Sequence, residues 1–368
     1  MLGGILRITS NVDFQLRPRM LRAPVAVALL LAFLPRAAQA QIRGSVVDAA
    51  GAPVPGAAVE AWAGLRAVGS ARSGEDGRFV LPNVAPGAAT GLVVRRIGYR
   101  RLARGLAAAD SVVVLRLAPA TTGLEGITAT AETRGCPNRE DPRARAAWEA
   151  VRAKYPPPTD SVVFHSLADF RDGYAARGAI DSLAAAEGRR GWSAVPTRSW
   201  ELWRRQIATH GYAARIARPL GERYALWRYV PLEMEFSQHF ADPLFGELHT
   251  LSVVASGGGE TVLRFCPRDG GRRGGREIEG TLTLSDGGAL LGGAWRYRTP
   301  GPVEDAGGEV DFLPPEVTAR SLLLPSRTLF WRRMAGSSTR YFVESRTYHE
   351  WRLSPGSEVP PPPAEIFR

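Results

Sequence analysis

Apolar and polar residues alternate with a period of two along most of this chain, and in two stretches the spacing lengthens to that of an amphipathic helix. Between residues 41 and 118 the alternating runs are short: 42–48, 58–62, 65–70, 78–81, 92–94 and 111–117. Turn dipeptides separate them, among them Ala50-Gly51, Pro55-Gly56, Asp76-Gly77 and Pro86-Gly87. Strands this short at such close intervals predict a small sandwich of about seven strands, with Phe79 and Leu81 turned toward its core.

The helical stretches come later. Asp141-Pro142 has the form of an N-cap followed by proline at the first helical position, and Ala146, Ala147, Trp148 and Val151 then fall on one side, with arginines on the other. Tyr155-Pro156-Pro157-Pro158 ends that helix, and a strand begins at 161–164. A second helix is predicted over 199–209, with Trp200, Trp203 and Ile207 a turn apart and Gly211 beyond its end. From there the period returns to two, predicting strands at 224–230, 248–255, 260–266, 277–284, 289–298, 309–312, 328–333 and 340–352. Gly257-Gly258-Gly259 and Asp286-Gly287-Gly288 supply hairpin turns. The chain is therefore expected to be mainly β: a seven-strand sandwich at 41–118, a linker at 119–140, and an α+β domain with a curved antiparallel sheet at 141–354. A Pro-rich tail at 355–368 reads as solvated polyproline.

Composition changes this picture in two respects. The formal net charge of +11 invites a nucleic-acid reading, but Lys154 is the only lysine and the arginines are scattered rather than gathered into a stripe. Codon bias accounts for that skew, and nucleic acid is not an expected partner. At the N-terminus, an apolar run at 25–34 follows Met20-Leu21-Arg22, and Ala38-Gln39-Ala40 has the small-x-small form of a signal-peptidase site. Residues 1–40 thus read as a signal peptide with its true start at Met20. The expected product is exported, to the periplasm or the periplasmic face of an outer membrane, and does not span the membrane. In such a compartment Cys136 and Cys266 form a candidate disulfide, two unpaired thiols being the alternative.

The residues of the sandwich carry a resemblance. Gly44, Asp48, Gly51, Pro55, Gly56, Asp76, Gly77, Phe79, Pro86, Gly87, Gly98 and Tyr99 stand in the pattern of the carboxypeptidase regulatory-like domain, a transthyretin-like and carbohydrate-binding-like sandwich. Such domains occur behind the catalytic domain of metallocarboxypeptidases and ahead of the plug of TonB-dependent receptors. The segment 124–132 resembles the receptor joint, but the chain beyond it lacks the repeated ten-residue spans of a membrane barrel. The β-meander after residue 248 resembles the half-barrels of lipoprotein carriers.

Candidate chemistry is sparse. A zinc carboxypeptidase needs a His-x-x-Glu pair and a distant histidine, a spacing that His165, His210, His239, His249 and His349 do not show. His239 and His249 flank Glu233, Glu235, Asp242 and Glu247, which leaves a metal site conceivable there. Gly191-Trp192-Ser193-Ala194-Val195 lacks the second glycine of a nucleophile elbow, and Gly270 to Gly275 lacks the Lys-Ser/Thr end of a phosphate loop. No catalytic residue, metal ligand or cofactor is assigned. The expected function is non-enzymatic binding or scaffolding in the envelope, with a glycan, lipid or outer-membrane protein as partner. Arg95, Arg96, Tyr99 and Arg100 are candidate contacts to an anionic partner, and Trp62 is a candidate stacking platform for a sugar. A carrier of an apolar ligand and a hydrolase with an unfamiliar site are the alternatives.

Overall fold

A computed structural model describes residues 41–96, 98–119, 136, 139–156, 162–186, 188–216, 226–229, 235–257, 259–268, 277–298, 305–318, 322–334, 337 and 339–355. The signal-peptide reading, the 124–132 joint, the Gly270–Gly275 loop, Glu233 and the proline tail lie outside the described residues.

Seven strands build the first part: β1 (Arg43–Asp48), β2 (Ala58–Ala63), β3 (Arg66–Arg72), β4 (Arg78–Val80), β5 (Gly91–Arg95), β6 (Leu102–Gly105) and β7 (Val112–Leu117). One layer is the three-stranded sheet β4-β1-β7, in which β1 pairs antiparallel with β4 and parallel with β7. The facing layer contains β3-β2-β5-β6. Between them Val46, Val59, Phe79, Leu81, Leu92, Val94 and Leu115 are buried, as the alternation in their strands requires. Gly77 closes the β4 turn at φ 73°, a conformation that a side chain disfavours, and its nitrogen bonds back to Gly74.

The second part runs α1 (Pro142–Lys154), β8 (Val162–Ala176), α2 (Ile180–Ala185), β9 (Arg189–Pro196), α3 (Thr197–His210), β10 (Ala213–Ile216), β11 (Leu226–Tyr229) and α4 (Pro243–Leu248). Next in the chain are β12 (His249–Gly257), β13 (Glu260–Pro267), β14 (Glu277–Ser285), β15 (Leu290–Arg298), β16 (Ala306–Phe312), α5 (Pro315–Thr318), β17 (Pro325–Arg333) and β18 (Arg340–Pro355). Strands β12 to β18 form an unbroken antiparallel meander in chain order. Beyond it, β18 pairs with β8 over fifteen register positions, and β8 pairs with β9.

The Asp141 carboxylate caps α1 by accepting from Arg143 N at 2.8 Å. The buried side of α1 is Ala144, Trp148 and Val151 with Ala147 partly buried beside them, and of the expected face only Ala146 lies in solvent. Trp148 donates from its indole to the Phe240 carbonyl at 2.8 Å and packs among Phe240, Phe245, Phe265 and Trp295. The sheet's apolar face is thereby filled with the chain's own aromatic rings.

The two parts share one sheet: Glu350 of β18 pairs with Arg66 of β3, and Trp351 N bonds to the Leu65 carbonyl at 2.8 Å. A cluster of Trp62, Val93, Phe164, Leu313, Val317, Tyr348 and Trp351 is buried across that junction.

Candidate functional site

Most of the residues proposed from sequence as ligand contacts serve the junction instead. Trp62 is fully buried. Val59 and Ala61 face the sandwich core, while Trp62 lies on the outer side of β2, which is covered by Leu313, Val317 and Leu324 and by Tyr348 and Trp351 of β18. Its ring is therefore inaccessible to a sugar. Arg95 donates to both Glu60 oxygens at 3.0 Å and to Ser326 Oγ at 2.7 Å. Burial opposes its charge, but Glu60 and Asp311 outweigh that and raise its pKa. Arg100 lies 3.9 Å from Glu260 and donates to the Gly257 carbonyl, and the neighbouring Arg101 donates to Leu291 O at 3.0 Å. These arginines hold internal carboxylates and carbonyls across the junction. Of the set, only Arg96 is exposed; Tyr99 is partly buried against the sandwich core.

Among the described residues, no carboxylate joins His239 and His249 in a group that could hold a metal ion. Both are buried among Tyr212, Phe245 and Phe265. Tyr212 Oη lies 2.5 Å from His239 Nε2, and His249 Nδ1 donates to the Phe245 carbonyl at 2.8 Å. Burial, followed by the charges of His249 and Arg204, holds His239 well below the usual imidazole range; burial lowers His249 to about 4. Asp242 is committed to Arg204 at 3.0 Å and to the Leu244 amide at 2.8 Å.

Cys136 and Cys266 are joined in a disulfide with 5.7 Å between their Cα atoms. It anchors the segment ahead of α1 to the end of β13, with the Glu279 carboxylate alongside. With both sulfurs in the bond, these three side chains offer no thiolate to a metal.

The arrangement with the character of a binding surface lies elsewhere, on one face of β9-β8-β18. The register places Trp192 beside Leu167 and Glu350, Arg190 beside Asp169, and Ala194 beside His165 and Arg352. The Trp192 indole is 49% exposed, and the Arg352 guanidinium sits 4.5 Å from its ring centroid, which fixes the ring's orientation. Around it the polar groups are already ordered by one another. Arg190 grips Asp169 through two bonds at 2.8 and 3.1 Å, and His349 Nε2 lies 2.7 Å from the same carboxylate. Arg352 donates to Glu350 at 2.7 Å, and His165 Nε2 lies 2.9 Å from Ser354 Oγ. The Arg190 hydrogen bonds are the main reason that Asp169 is held down to about 2, with His349 adding to them. An exposed aromatic ring within a fixed border of donors and acceptors suits a ligand with one apolar face and a hydroxyl-rich rim.

In the sequence, Trp192 stands out only as part of an incomplete nucleophile elbow. His349 interrupts the β18 register between Tyr348 and Glu350, and this bulge is what turns its imidazole toward Asp169; alternation alone does not foretell it.

Comparison with protein families matches residues 41–118 to the carboxypeptidase regulatory-like domain. Comparison with curated proteins gives no match. No helix among the described residues is long and apolar enough to cross a membrane.

Proposed function

We propose that this chain is a non-catalytic binding module of the cell envelope, exported by its N-terminal segment, and that it takes a glycan on the Trp192 face. The observation that carries the reading is the half-exposed indole backed by Arg352 and bordered by Asp169, Arg190, His349 and Glu350. A pyranose presents a C–H face that stacks on an indole and equatorial hydroxyls that reach such a border. The sandwich in this reading is a structural wall that sets the position of β18.

The filled interior favours a surface ligand over an enclosed apolar one. Phe240, Phe245, Phe265, Leu282 and Trp295 are at most 2% exposed and occupy the space a carrier would keep for cargo. The test is binding of the mature chain to peptidoglycan sacculi and to soluble envelope polysaccharides. Trp192→Ala is expected to weaken the interaction about thirtyfold, the effect of some 2 kcal/mol, without altering the circular dichroism spectrum. Retention of full affinity by that variant contradicts the reading.

A further inference from the structure

The outer face of the three-stranded sheet β4-β1-β7 has a second, independent pattern. Its register sets Val80, Arg43 and Val112 in one row across the sheet, and Arg78, Ser45 and Val114 in the next. Arg116 comes after them, beside Val47. Val80, Val112 and Val114 are 50%, 60% and 50% exposed, and Arg43, Arg78 and Arg116 are exposed as well. The solvent side of a half-buried sheet is ordinarily polar. Here β-branched apolar groups and guanidinium groups interleave instead, and no outward position of these three strands carries a carboxylate. Asp76 in the turn before β4 lies 3.6 Å from Arg78, with both side chains mostly exposed.

We infer that this face docks on a surface of anionic phospholipid headgroups. The guanidinium groups meet phosphates, and the valines between them enter the boundary between headgroup and acyl chain. The pattern favours a plane of anions above an apolar layer over an acidic protein segment, because guanidinium groups and exposed valines are intermixed across one sheet face. Docking here leaves the Trp192 face, on a different sheet, unoccupied, and the inference does not depend on the glycan reading.

Vesicle flotation of the mature chain tests it. The chain is expected to float with vesicles of phosphatidylglycerol and phosphatidylethanolamine, not with phosphatidylcholine alone, and to be released at about 1 M salt, where the Debye length falls to about 3 Å. Each of Arg43→Gln and Arg116→Gln is expected to lower the partition coefficient about fivefold, and Val112→Ser with Val114→Ser to lower it further. These positions are outside the core, so an unchanged melting curve certifies the fold of each variant. Equal binding to both vesicle types, indifference to the substitutions, or binding to soluble polyglutamate with no binding to vesicles overturns the inference, the last in favour of an acidic protein partner.

Discussion

Trp62 and Trp192 show where the sequence was readable and where it was not. Trp62 stands between Ala61 and Ala63 and Trp192 between Gly191 and Ser193, and alternation from Val59 and Ala61 puts Trp62 on the outer side of its strand. The decisive fact about Trp62 is non-local: β2 is covered on both sides, and residues more than 250 positions away supply one of the covers. Trp192 emerges because β9 is an edge strand, paired among the described strands with β8 alone. Close approach sets other single residues. A Cβ on Gly280 would fall 1.9 Å from the Ala294 carbonyl oxygen and 2.8 Å from Trp295 Cα, both backbone atoms. Gly280→Ala is therefore expected to destabilise by about 1–3 kcal/mol, read as a shift of the denaturant midpoint at constant slope. Glu309 is a second case. Burial, with Asp311 and Asp181 adding and Arg327 opposing, lifts its carboxyl to about 7. A raised carboxyl pKa makes the folded state hold its proton longer, so stability falls as pH rises from the ordinary carboxylate range through 7. Glu309→Gln is expected to flatten this slope and to gain on the order of 2 kcal/mol at pH 8, after discount for partial exposure.

Among the elements, those with strong local signals were legible. The cap at Asp141, the hairpin glycines and the strands from β12 to β18 lie close to where the period of the sequence puts them. The long strand β8 was visible only at its first residues. Beyond Phe164 it carries His165, Ser166, Asp169, Arg171, Asp172 and Gly173, a composition with weak strand propensity, and fifteen register positions against β18 hold it extended. A cross-link that sequence could only nominate ties Cys136, ahead of α1, to β13. The Cys136–Cys266 bond spans 130 residues, and its reduction is expected to cost about 4–5 kcal/mol in the chain-entropy model. Thermal unfolding with and without reductant measures the loss. The packing of α4 against β12 and β13 brings a titration of its own. His239 and His249 are held neutral by burial, so the unfolded chain binds more protons than the folded one between about pH 4 and the usual imidazole range near 6.5. Stability is then present above that range and lost as pH falls through it. His249→Phe is expected to reduce this acid sensitivity, measured as the dependence of the urea midpoint on pH.

On the scale of the whole molecule, the sandwich and the meander were expected as separate domains joined by a linker. Instead they share β-pairing, a buried aromatic cluster and the Glu60–Arg95–Ser326 contact. The resemblance at 41–118 gave the sandwich its fold. It gave no sign of the junction, because the junction draws on Phe164, Leu313, Val317, Leu324, Tyr348 and Trp351, outside the resemblance. Arg95→Ala is expected to cost about 3–5 kcal/mol by leaving Glu60 without its cation. If the parts unfold together, the cost appears in a single transition common to near-ultraviolet and far-ultraviolet circular dichroism. This union holds β18 between β17 and β8, and β18 presents His349, Glu350 and Arg352 around Trp192. The most direct measurement is a calorimetric titration of the mature chain, and of its Trp192→Ala form, with soluble peptidoglycan fragments and envelope polysaccharides. Saturable binding by the former that drops about thirtyfold in the latter is the predicted result; no binding to any glycan, or equal binding by both forms, contradicts it.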